Sequence, residues 1–213
     1  MTVVTKIQET EQVDRPGATG LCADASLRTP FGPRRVEFLR EGDLIVTRDN
    51  GLQPIRLIWA RTVTAAEIAA DPSLAPIVLR PRAIGPMMPQ RSLSVGAGHR
   101  LLIPGWRLLD VPDTESSLVP ARDIAGLNDS SFIDRSPDVV TYYNVVFDEH
   151  QVVTANGLPV ESFLPSPETV EMIDRKVRQR LKGKFPDLGP RFRDYPAPRY
   201  TLRERVSYNP DFA

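Results

Sequence analysis

A chain of 213 residues with 27 basic and 27 acidic side chains has room for one domain of ordinary size with appendages, and its balanced charge gives no global pull toward nucleic acid. A single cysteine excludes an internal disulfide and a cysteine-built zinc site. No apolar run reaches signal-peptide or membrane-spanning length, so the expected location is the cytoplasm, with incorporation into a larger assembly or signal-free export as other routes.

The 21 prolines are about twice the usual share and scatter through the middle, which predicts many short elements joined by turns. Residues 1–19 are polar, lack a helical or strand period and read as a flexible leader. Ser26 to Thr29 is a short strand, Pro30-Phe31-Gly32 a turn and Val36 to Leu39 a short apolar step. Leu44 to Thr47 and Pro54 to Val63 are strands about Asp49-Asn50-Gly51, because Asn-Gly suits the positive-φ positions of a tight hairpin. In the longer strand Ile55, Leu57 and Trp59 alternate with Arg56, Ile58 and Ala60, the pattern of a half-buried ribbon.

Residues 65–74 make one or two helical turns before Pro72 stops them, and Ile77 to Leu79 is a strand. A Gly/Pro-rich loop follows, whose Met87 and Met88 read as packing. A strand through Val95 turns at Gly96-Ala97-Gly98, passes His99 and resumes as Arg100 to Ile103. Residues 110–137 are loop-rich, with one short element from Val119 to Ile124.

Thr141 to Phe163 reads strand, corner, strand, hairpin, strand. Its corner is Asp148-Glu149-His150, read as solvated with the histidine at the surface, and its hairpin is Asn156-Gly157. Residues 165–184 read as one amphipathic helix, with Ser166 as N-cap, Pro167 in the first turn and a stripe of Val170, Ile173, Val177 and Leu181. Residues 185–213 form a Pro- and Arg-rich arm, expected to pack on the body or reach a neighbour. From Ser166 onward there are 11 basic and 7 acidic residues against 16 and 20 before it, so the end of the chain is the mildly basic part.

The reactive groups are sparse: Cys22, His99 and His150. A cysteine can attack the carbonyl of its own preceding peptide bond and exchange the amide for a thioester, if an acid protonates the departing amine. Histidine is the usual donor, and Asp148 stands near His150 as possible support. The spacing does not say whether the three meet, and a zinc site on the same residues is the weaker alternative.

Three separated blocks then carry a resemblance. SLRTPFGPRRVEFLREGDLIVTRDNGLQPIRLI, LSVGAGHRLLI and YYNVVFDEHQVVTANGLPVESF are similar, in this order, to the opening, middle and closing blocks of the Hint (hedgehog/intein) superfamily, in particular its bacterial stand-alone proteins. The resemblance spans Gly20 to Phe163 and implies an all-β, horseshoe-shaped, pseudo-two-fold domain over residues 20–164. It also implies a chemistry, self-cleavage or splicing of the backbone by a nucleophile at the first position and a histidine of the middle block. Three departures bear on that chemistry. Gly20 stands at the family's nucleophile position and Cys22 two residues later, so either the register slips and Leu21–Cys22 is the scissile bond, or the nucleophile is gone. Gly96 replaces the Ser or Thr three residues before the middle histidine. Glu161-Ser162 replaces the His-Asn pair that inteins use to release the downstream segment, which excludes two-ended splicing.

The expected protein is a degenerate Hint-like domain serving as a structural or interaction module, with Cys22, His99 and His150 as site residues. The alternative is single-turnover self-cleavage at Leu21–Cys22. No cofactor, metal, nucleic acid or membrane is expected. The expected partners are the chain's own N-terminal segment if it cuts, and otherwise a protein or a second copy held through residues 165–213.

Overall fold

The computed structural model describes residues 18–189 and 192–209. In chain order the elements are β1 (Leu21–Cys22), β2 (Ser26–Thr29), β3 (Gly32–Arg35), β4 (Leu44–Val46), β5 (Leu52–Pro54), β6 (Leu57–Thr64) and α1 (Ala65–Ala70). They continue with β7 (Pro76–Leu79), β8 (Leu93–Gly96), β9 (Arg100–Pro104), β10 (Ser116–Pro120), β11 (Ser131–Ile133) and β12 (Val139–Val146). The last are β13 (Val152–Ala155), β14 (Leu158–Glu161), α2 (Pro167–Met172), α3 (Arg175–Lys184) and β15 (Thr201–Leu202).

Local chemistry sets the joints between these elements. At the first Asn-Gly hairpin Gly51 takes φ +65°, and the Thr47 hydroxyl donates to the Gly51 carbonyl at 2.8 Å. α1 starts where Thr64 and Glu67 close a reciprocal capping box, and it stops before Pro72. α2 starts on an equivalent box between Ser166 and Thr169.

Two sheets carry the fold, a six-stranded one in the order β11-β7-β8-β1-β12-β6 and a seven-stranded one in the order β15-β10-β9-β14-β13-β2-β3. Pairing is antiparallel except between β10 and β15. The chain crosses from the first sheet to the second at three corners: between β1 and β2, between β8 and β9, and between β12 and β13. Since β1 lies between β8 and β12, these corners are neighbours in space. Side chains of both inner faces, among them Leu21, Val95, Leu101, Val145, Val153 and Val160, form the main core between the sheets. A second cluster joins Leu57 and Trp59 of β6 to Phe163, Val170, Leu181 and Phe192, with Trp59 and Phe163 edge to face at 4.8 Å.

Asn156 ties the three blocks together. Its Oδ1 accepts from the Ser26 backbone N–H at 2.9 Å, its Nδ2 donates to the Ser92 carbonyl at 2.7 Å, and its own carbonyl accepts from the Gln90 N–H at 2.8 Å. Burial of this side chain makes those bonds structural ones, and the sequence had marked the residue only for its turn.

The structure corrects several expectations. The single helix of 165–184 is two, because Ile173 is extended at ψ 154° and the Asp174 carboxylate accepts from the Lys176 N–H, starting α3 afresh. The stripe nevertheless packs as one group against β6 and β12. The segment 110–137 is less loop-rich than expected, since Ser116–Pro120 and Ser131–Ile133 are strands. Much of the arm is seated on the body: Phe192, Tyr195 and Tyr208 are buried, and the Tyr195 hydroxyl donates to the Phe147 carbonyl at 2.9 Å. Of the expected leader, residues 1–17 lie outside the described residues, while Ala18 is buried and held by the body. Among the described residues no helix is long and apolar enough to cross a membrane.

Candidate functional site

The three corners bring the site together. The middle corner, Gly96 to His99, wraps the chain just before β1: the Gly98 N–H donates to the Ala18 carbonyl and the Gly96 N–H to the Gly20 carbonyl, both at 2.9 Å. On the other side Asn144 of β12 donates from Nδ2 to the Thr19 carbonyl at 3.2 Å. The Thr19–Gly20 peptide therefore lies in a seam between β8 and β12, with a side-chain donor on its carbonyl.

Two glycines make this closeness possible. A Cβ on Gly96 would fall 2.2 Å from the Ala18 carbonyl oxygen. A Cβ on Gly20 would fall 2.8 Å from both Asn144 Nδ2 and the Tyr143 carbonyl oxygen, and Gly20 also sits at φ +116°. Neither position accepts a side chain without the backbone moving. Gly20 and Gly96 thus belong to one closed packing around residues 18–20.

His99 and His150 come together around a carboxylate, but it is Glu161 and not Asp148. All three are buried. Glu161 accepts the Arg100 backbone N–H on Oε1 at 2.8 Å, and its Oε2 lies 3.8 Å from His150 Nε2 and 3.7 Å from Arg100 Nη1. The last two separations are Coulombic contacts and not hydrogen bonds. Burial alone would raise the Glu161 carboxyl, yet His150, His99 and Arg100 hold it below the usual carboxylate range. Burial drives His99 the other way, down to about 4, with Glu161 pulling against it and Arg100 and His150 adding to the depression. Asp148 points outward to Arg56 at 3.3 Å, and His150, expected at the surface, is turned inward.

Cys22 has different company. Leu21 faces the main core, and by strand alternation Cys22 faces a separate cluster with Val63, Ile68, Val140 and Tyr142. Burial, then the nearby Asp24, pushes its thiol up to about 12. Among the described residues no group of three or more His, Cys, Asp or Glu side chains is arranged to hold a metal ion.

A cleft of about 800 Å³ opens beside the seam. Ala18, Thr19 and Asn144 line it together with Trp59, Phe163 and Ile173, and Arg100, Arg122 and Glu204 stand along it. Residues of α2, α3 and the arm contribute to its lining, so the end of the chain helps to build the cleft next to the corners.

The sequence profile of the Hint domain matches residues 19–167. The chain belongs to the Hint domain family. Its Hint domain is also similar to solved structures: an intein-like domain from Clostridium thermocellum (12% identity, 68% of this chain and 99% of that one, TM-score 0.43), the gp41-1 intein (10%, 67% and 98%, TM-score 0.40) and the MchDnaB-1 intein (11%, 67% and 99%, TM-score 0.41). No curated protein matches it in sequence. The matched region ends at the first residue of α2, and the rest of α2, α3 and the arm lie beyond it.

Three residues of this Hint site escaped sequence reasoning: Glu161, Asn144 and Gly96 as a contact surface. Glu161 gave no usable signal, since Leu158 and Val160 take the core face of β14 and alternation sets Glu161 on the other; its burial comes from the meeting with Arg100 and His150. Asn144 did give one, since it shares the strand face of the buried Val140 and Tyr142.

Proposed function

We propose that this chain is a degenerate Hint domain, which does not cut its own backbone and serves as a structural or interaction module. The seam carries this reading: residues 18–20 are packed onto Gly96 and Asn144 with no space for a side chain at position 20, the family's nucleophile position. The environment of the other groups supports it. A general acid works best with a pKa near the working pH, and His99, depressed to about 4, holds no proton to give at neutrality. Self-cleavage at Leu21–Cys22 needs a thiolate, and a buried thiol pushed up to about 12 is a poor source of one.

Intact mass of freshly made protein tests the reading. The expected result is the full-length mass, unchanged after days with hydroxylamine or dithiothreitol at neutral pH. A species lacking residues 1–21, or 1–19, that a thiol accelerates would overturn it. Cys22→Ala separates the two registers, since it abolishes only the first cleavage.

A further inference from the structure

One carboxylate in the cleft is held in a way its neighbours are not. Glu204, on the arm, places Oε1 3.2 Å from Arg100 Nη2 and Oε2 3.3 Å from Arg122 Nη2, one oxygen to each guanidinium. The two arginine side chains are largely shielded, at 19% and 23% exposed, while the carboxylate lying on them is 48% exposed. The cations are part of the body, on β9 and the turn after β10, and the anion lies over them from outside.

The backbone carrying Glu204 is attached as an added strand. β15 pairs in parallel with β10 over two residues, Thr201 with Ser117 and Leu202 with Leu118, and the Arg203 N–H then donates to the Leu118 carbonyl at 3.0 Å. Both β15 residues are exposed, and Leu202 and Glu204 line the cleft two positions apart. Strand addition at a sheet edge takes affinity from main-chain hydrogen bonds and specificity from alternate side chains. A half-exposed ion pair adds only modest hold, and the firmer anchors of this segment lie around it: the Tyr200 hydroxyl on Asp49 at 2.9 Å, Arg203 Nε on Ser117 Oγ at 3.1 Å and the buried Tyr208.

We propose that Arg100 and Arg122 form a carboxylate-binding site for a peptide partner, and that Glu204 is its resident occupant. The partner is an extended segment with an apolar residue two positions before an acid, the pattern of Leu202 and Glu204, and it binds by displacing β15 from the β10 edge. The acid seats between the guanidiniums, where each oxygen receives a charge-assisted hydrogen bond. The apolar side chain takes the place of Leu202 in the cleft. This inference rests on the interaction-module reading and names the partner chemistry of that module.

The test uses full-length protein with the arm released by Leu202→Ala and Glu204→Ala together, and a fluorescein-labelled peptide of residues 198–207 as probe. Fluorescence anisotropy is expected to show the peptide binding the double variant about tenfold or more tighter than the wild type, where the resident strand competes. The same peptide with Gln at the Glu204 position is expected to bind about tenfold more weakly, a difference that Arg122→Gln in the protein narrows, since Arg100 still holds the other oxygen. Equal affinities of the Glu and Gln peptides would overturn the proposal, as would failure of the probe to bind the released variant. The two-peptide comparison decides even where Arg122→Gln fails to fold. Intact mass on the same samples keeps the two readings apart. A full-length chain with no acid-dependent binding sinks the carboxylate site alone, whereas loss of an N-terminal fragment sinks the module beneath it.

Discussion

Burial of His99 makes stability depend on pH in a predictable window. The imidazole falls from an ordinary value of 6.5 to about 4 in the fold, so between those values the unfolded chain binds a proton that the native chain refuses. Stability therefore rises with pH across that window and falls as pH drops from 6.5 toward 4. Integrating the two titration curves gives a loss of about 2 kcal/mol at pH 5 relative to pH 8, growing to about 3 kcal/mol at pH 4. Glu161 acts at the low end of this range, because its contribution is whole above the ordinary value of 4.5 and is lost from there as the pH falls through its depressed value in the fold. Urea unfolding at pH 8, 6.5, 5.5 and 5 on wild type and His99→Gln isolates the term, since the difference in slope belongs to His99. With only two histidines in the chain, the imidazole resonances give an independent titration by NMR. A wild-type slope that survives His99→Gln, or a His99 resonance with a midpoint near 6.5, would refute the buried neutral imidazole.

Two further outcomes follow from the packing. Asn156→Ala strands the Ser26 N–H and the Ser92 carbonyl inside the fold and should cost roughly 2–4 kcal/mol by urea unfolding, with Asn156→Asp also destabilising because it cannot donate to Ser92. Cys22 should react with a disulfide reagent at pH 8 about a thousandfold more slowly in the native chain than in urea, reflecting both burial and the raised thiol; a fast native reaction would contradict that placement.

Much of the architecture was legible because its signals are local. Both Asn-Gly pairs lie in hairpin turns, although only the second has positive φ at both residues. The expected strand from Pro54 breaks before Leu57, so Leu57 and Trp59 share one buried face while Ile55 joins the main core. The apolar stripe from Val170 to Leu181 packs as one face, although Asp174 splits the helix that carries it. A capping carboxylate inside an apolar period is a local choice that periodicity alone does not resolve. The site was less readable because its contacts are remote. Glu161 meets Arg100 across 61 positions, and Asn144 meets Thr19 across 125. Asp148 was the nearer acid to His150 in sequence, yet the corner turns it out to Arg56 while the next strand brings Glu161 in. Gly96 looked like a lost hydroxyl and is also a close contact with Ala18, which only the meeting of distant segments reveals.

The two residues of β1 have a consequence for how this chain is made. Leu21 pairs with Val95 and with Tyr143, so both neighbours of the first strand are synthesised long after it. On a ribosome, Leu21 must wait for most of the chain to emerge before its place in the sheet exists, and long loops must close first. The first strand is thus among the last parts to settle, and a chain halted before Tyr143 would present Leu21 and its neighbours unburied to chaperones and proteases.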